Sequence, residues 1–255
     1  MHWWQIFLLA ILGVVILPYI IGPLLVRSKV WFSANPEIQP QTEADLPRQV
    51  EQFFTEASKR FEKIGFTEHW GDFRVTRFFS TDQEHFIRAV VNPETRESAG
   101  AVYVIQPVAH AEDIFSKLYG FSSELDDHRE IATGNSTHPS MPIRSELYQE
   151  IVLPDIWDME QLYKIHRFST QKAVGNQTLW LPDFENAIEA MRHTFLKPAK
   201  ALEQAAVVKL DQQKERYVFT WSGAFLMTWQ ELWPFKWLRL RRLKKLAVAL
   251  IEAAG

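Results

Sequence analysis

WGDFRVTRFFSTDQEHFIRAVVNPETRESAGAVYVI, residues 70–105, is rich in Phe, Val, Ile and Thr and is broken by one compact turn signal, Asn92-Pro93-Glu94-Thr95. Aromatic and β-branched side chains suit a pleated surface, and Asn-Pro favours a chain reversal. Residues 73–80 and 85–91 therefore read as strands, with 101–105 as the hairpin partner after the turn. Two more strand candidates follow at 117–125 and 130–133, separated by Asp126-Asp127-His128. Short strands joined by short polar loops predict an antiparallel meander. Residues 133–145 carry Gly, Asn, two prolines and several hydroxyl residues, and read as a loop.

Upstream the rhythm is helical. Val50, Phe53, Phe54, Ala57, Phe61 and Ile64 recur at helical spacing and form one apolar face. Asp45 is a good N-cap, Pro47 is tolerated in a first turn, and Gly65 stands where a helix takes its left-handed C′ residue. Residues 33–44, with Pro36 and Pro40 among polar side chains, read as a partly extended tether.

Further out stands IFLLAILGVVILPYIIGPLLV, residues 6–26, twenty-one positions without a charge. As a helix this run is about 31 Å long, close to the hydrocarbon thickness of a bilayer. Trp3 and Trp4 precede it, and Trp31 and Phe32 follow, at positions where amphipathic rings settle among headgroups. No Lys or Arg precedes the run and no small-x-small cleavage pattern ends it, so a retained span is expected rather than a removed signal. Arg27 and Lys29 on one side predict a translocated N-terminus and a cytoplasmic body.

Downstream, Asp155 is a candidate cap for a helix that places Ile156, Met159, Leu162, Tyr163 and His166 on one face. Asp183 is the candidate cap of another, with Ile188, Met191 and Phe195, which Pro198 interrupts or kinks. Residues 217–221 read as one last strand and 224–233 as a helix. Helix, antiparallel strands and then helices make the fold class α+β. The expected organisation is an anchor with flanking aromatics (1–32), a polar linker (33–44), an α+β globular domain (45–233) and a basic amphipathic C-terminal helix (234–255).

In that last helix Leu240, Leu243, Ala247, Leu250 and Ile251 share a face. Lys236, Arg239, Arg241, Arg242, Lys244 and Lys245 are six cations with no acid between them, although the chain as a whole carries −3. With Trp233 and Trp237 at its head, this is the composition of a helix lying on an anionic leaflet. Those eight residues are the candidate membrane-surface set. Packing of the same helix on its own domain is the competing expectation. The partners expected are the bilayer, anionic lipid headgroups and a protein of unspecified kind; the net charge carries no nucleic-acid signature.

Chemistry is hard to find. The chain has no cysteine, which excludes disulfides and thiolate metal sites, and only ten glycines. It contains no Walker A loop, dinucleotide fingerprint, nucleophile elbow or His-Glu-x-x-His. No cofactor is expected. The best remaining cluster is Asp126, Asp127, His128 and His138, ligand types that suit a divalent metal at a spacing that matches no defined site. Asp-Asp between strands is first a turn former, and His166 on an apolar face reads as a core histidine. The favoured function is a membrane-tethered, non-catalytic interaction or accessory module. The rivals are an anchored metal-assisted hydrolase using that cluster and an anionic-lipid-binding domain.

Overall fold

The computed structural model describes residues 3–108, 113–136, 145–174, 179–180 and 186–254; the side chains of residues 8–12, 14, 15 and 180 also lie outside the description. The fold is α+β. Its centre is an eight-stranded sheet in which seven strands follow the order β2 (Glu37–Gln41), β3 (Glu68–Thr76), β4 (Glu84–Asn92), β5 (Glu97–Gln106), β6 (Ile114–Leu125), β7 (Glu130–Gly134) and β8 (Tyr148–Val152). The eighth, β9 (Leu179–Trp180), pairs with the end of β6. Neighbours from β2 to β7 are antiparallel, as the turn signals require, whereas β8 lies parallel to β7.

Register explains how this sheet becomes an inner layer. Residues directly opposite in a ladder share a face. Phe86, Val90, Ala99, Ala101, Tyr103, Tyr119 and Phe121 therefore point one way, into a core built with α2 (Arg48–Lys63) and α3 (Met159–Val174). Ile38, Phe73, Val75, Ile87 and Ala89 point the other way, into a second core. That core is closed by α4 (Ala187–Gln204) and by a small sheet of β1 (Trp31–Ser33), β11 (Arg216–Phe219) and β10 (Val208–Asp211), in that order. β4 is buried on both faces over most of its length. Val50, Phe53, Phe54, Ala57 and Phe61 of α2 are all buried, and Gly65 takes φ +92° where the helix ends.

Several boundaries differ from the sequence reading. Asp45 does not cap α2; its carboxylate accepts from the Thr42 backbone N–H (3.1 Å) and hydroxyl (2.6 Å) and closes a 3₁₀ turn over Glu43–Asp45. The expected tether contains β2, an edge strand in which Pro40 is tolerated because an outer strand can spare a donor. Asp158 rather than Asp155 accepts from the first N–H groups of α3, and Asn186 caps α4, while Asp183 lies outside the described residues. Pro198 sits inside α4 without ending it. The ladder bond it removes is offset by Leu196, Ala199 and Leu202, buried on either side in the second core. The strand expected at 217–221 ends at Phe219, and Trp221 opens α5 (Trp221–Glu231) instead.

The N-terminal run lies within α1 (Trp3–Lys29), a helix of 27 residues. Among the described residues no helix is long and apolar enough to cross a membrane. The span expected from sequence has its middle at residues 8–12, 14 and 15, whose side chains lie outside the described set.

Candidate membrane-contact surface

Three helices build this surface: the C-terminal half of α1, α5, and α6 (Phe235–Ala254). α5 lies antiparallel on α1, and three contacts fix the pairing. The Arg27 guanidinium stacks 4.5 Å from the Trp221 ring centroid. Gly22 abuts Thr228 so closely that an added Cβ would lie 2.3 Å from Thr228 Cγ2. The Tyr19 hydroxyl donates to the Trp233 carbonyl. At its start α5 is fastened to the small sheet: Thr220 Oγ1 accepts from Gly223 N (3.1 Å) and donates to Ala206 O (2.8 Å). Gly223 faces Val207 O at 1.9 Å from where a Cβ would stand, a distance only glycine permits.

What α1, α5 and the turn into α6 leave outward is mostly apolar and aromatic. Ile16, Leu17, Ile20, Ile21, Leu24 and Leu25 of α1 are exposed. On α5 the rings of Trp221, Phe225 and Trp229 follow one another at centroid separations of 6.4 and 5.6 Å, and Phe235 stacks on Trp229 at 6.2 Å. Trp233 is 75% and Trp237 52% exposed, so both aromatic members of the predicted set stand at the surface.

α6 answers its two expectations with different faces. Leu240, Leu243, Ala247, Leu250 and Ile251 are all half-buried, and Ala247, Leu250, Ile251 and Ala254 pack against the first core. Arg241, Arg242, Lys244 and Lys245 are exposed on the opposite face, and Lys236 is exposed at the start of the helix. Arg239 is drawn inward: its side chain is 15% exposed and pairs with Glu231 at 2.7 Å, where Lys236 also binds at 3.1 Å. Arg241 lies 5.4 Å over the Trp237 ring, and Lys244 reaches Asp155 only at 3.9 Å.

The carboxylate–imidazole cluster does not converge. Asp126, Asp127 and His128 occupy the β6–β7 turn, where Asp127 pairs with Arg129 at 2.7 Å and His128 Nδ1 stands 3.4 Å from Glu124. His138 lies outside the described residues. His166 is on the core side of the sheet, with Nε2 2.9 Å from Ser123 Oγ and Nδ1 3.0 Å from Thr133 Oγ1. Ser123 and Glu124 are consecutive in a strand and so face opposite ways. Burial, with a smaller push from Arg167, lowers the His166 pKa to about 3, so the ring is neutral. Among the described residues no group of three or more His, Asp or Glu side chains could hold a metal ion.

Buried charges among the described residues carry no signal in the sequence; Glu97, 1% exposed, accepts from the Tyr163 hydroxyl at 2.6 Å and pairs with Arg167 at 3.4 Å. Arg88 holds Asp72 with two bonds, 2.8 and 2.6 Å, and His69 Nε2 approaches the same carboxylate at 3.2 Å. On the other face Lys197 Nζ lies 2.9 Å from Glu124 and 3.3 Å from Glu130, and Ser122 donates to Glu130 at 2.5 Å. Burial pushes the Glu130 carboxyl up, against the opposing pull of Lys197 and Ser122. Comparison with known proteins adds no relative: no protein-family model, no curated protein and no solved structure matches the chain.

Proposed function

We propose that this chain is a single-pass membrane-anchored protein, N-terminus out, whose cytoplasmic α+β body acts as a non-catalytic interaction or accessory module at the bilayer surface. The observation that carries this reading is the apolar side of α1 from Ile16 to Leu25, which the rest of the fold leaves uncovered. Exposed contiguous apolar surface is costly in water and is ordinarily met by a partner or a membrane. Lys and Arg on the outward face of α6 support apposition to anionic lipid, each cation contributing about 1 kcal/mol near such a surface. The non-catalytic class is supported by the separation of His166 from the Asp126–His128 turn.

The reading is tested by topology. Alkaline extraction should leave the protein in the membrane pellet, and protease added to intact cells should spare the body. Extraction into the supernatant refutes the anchor, and digestion of the body refutes its sidedness.

A further inference from the structure

We propose that α5 is a second membrane-immersed element: a short helix that enters the leaflet beside α1 without crossing it, and that sets how deeply the domain sits. This rests on α1 being a membrane anchor, as proposed above.

The contacts give the depth. Arg27 meets Trp221, Gly22 meets Thr228, and Tyr19 meets Trp233, so α5 runs along the last turns of the uncharged segment, away from the domain. Residues 221–230 contain no charged side chain, and as a helix they extend about 15 Å. Hydrocarbon that solvates the outward residues Ile20, Ile21 and Leu24 therefore lies at the same depth as the helix held on the neighbouring side of α1 by Tyr19, Gly22 and Arg27. The outward residues of α5, Trp221, Phe225 and Trp229, are of the kind that suits that boundary.

Backbone and charge at the immersed end are prepared for low dielectric. An unsatisfied carbonyl is costly in lipid, and a non-spanning helix must end there. Here the Trp229 carbonyl in the last turn of α5 accepts from Leu232 N (3.2 Å), and in the turn that follows the Leu232 carbonyl accepts from Lys236 N (2.9 Å) and the Trp233 carbonyl from the Tyr19 hydroxyl. Glu231, the first charge after the apolar stretch, is paired with both Arg239 and Lys236. The close approach at Gly22 and Thr228 is the small-residue contact by which helices pack in membranes.

The absence of cysteine lets the full chain be labelled at single sites. Ile20→Cys, Phe225→Cys, Trp229→Cys and Lys59→Cys, all at exposed positions, are spin-labelled and reconstituted into phosphatidylcholine–phosphatidylglycerol vesicles. Relaxation by oxygen, which partitions into lipid, is compared with relaxation by a water-soluble nickel chelate. The oxygen-to-nickel ratio at positions 225 and 229 should match that at position 20 and exceed that at position 59 on α2. A lipid-like position 20 with water-like positions 225 and 229 overturns the immersion of α5 and leaves the anchor standing, with a protein partner as the cover for its aromatic face. Water-like values at all four positions overturn both readings. If one cysteine variant fails to fold, the other α5 position gives the same reading.

Discussion

Asp72→Asn removes one charge from the pair that joins β3 to β4 behind α2, and its cost follows from the burial of both partners. The Asp72 and Arg88 side chains are 3% and 8% exposed, and the two short bonds between them satisfy most of what each lost on leaving water. Asparagine keeps the shape but strands the guanidinium, and breaking a buried pair in this way costs about 3–5 kcal/mol. For a chain of this size each kcal/mol lowers Tm by ~2–4 °C, so the expected fall is roughly 6–20 °C at pH 7. Thermal unfolding of the full chain in detergent, followed by circular dichroism, reads this directly. The pH dependence adds a second check. Burial raises the Asp72 carboxyl, but hydrogen bonds from Arg88 and His69 and their charges outweigh it, and the net pKa lies below the ordinary 3.8. A lowered folded pKa stabilises above 3.8 and loses that contribution as pH falls through the folded value. The gap between the native protein and Asp72→Asn should therefore narrow below pH 3.8. Asp72→Leu with Arg88→Met should recover much of the loss, because well-packed apolar residues replace a buried pair at little cost. A Tm change within ~2 °C for Asp72→Asn at pH 7, well under the fall expected for a broken buried pair, would refute the assignment.

Gly223→Ala should lower Tm by several degrees and loosen α5 from the small sheet, because the new Cβ meets the Val207 carbonyl at 1.9 Å and overpacking costs about 1–3 kcal/mol or more; unfolding by circular dichroism with tryptophan emission from α5 checks it. His166 and His85 are held neutral by burial, with pKa values lowered to about 3 and about 4. The unfolded chain then binds more protons below pH 6.5, so stability should be full above 6.5 and fall as pH drops from there toward 4 and 3. His166→Gln should flatten that slope in a pH series of melting curves, and an unchanged slope would count against the neutral core imidazole.

The elements legible in the sequence are those whose burial is decided by their own periodicity. The five buried residues of α2 are the ones its spacing marks, and the inward face of α6 is the leucine–alanine face that the heptad-like spacing marks. β1, β2 and β10 were not legible because they are three to five residues long and owe their existence to distant partners. Ile38 alone of β2 is buried, and Trp31 pairs with Val218. β8 was missed for a related reason: its place beside β7 follows from a crossover, and no turn residue announces one. In the candidate surface, Trp233 and Trp237 were legible as exposed aromatics at the head of a basic helix. The retreat of Arg239 was not, since Glu231 on α5 draws it inward and only the packing of two helices brings them together. Asp72 and Arg88 look like solvated polar positions in strands until the register places both under α2.

Pro40 lies in the outermost strand, opposite Phe73, and its neighbours along that border are Glu37, Gln39 and Gln41. A second molecule approaching there meets a missing donor and a carboxylate where a continuous row of amides would invite strand addition. That border therefore discourages fibril growth by strand addition at β2.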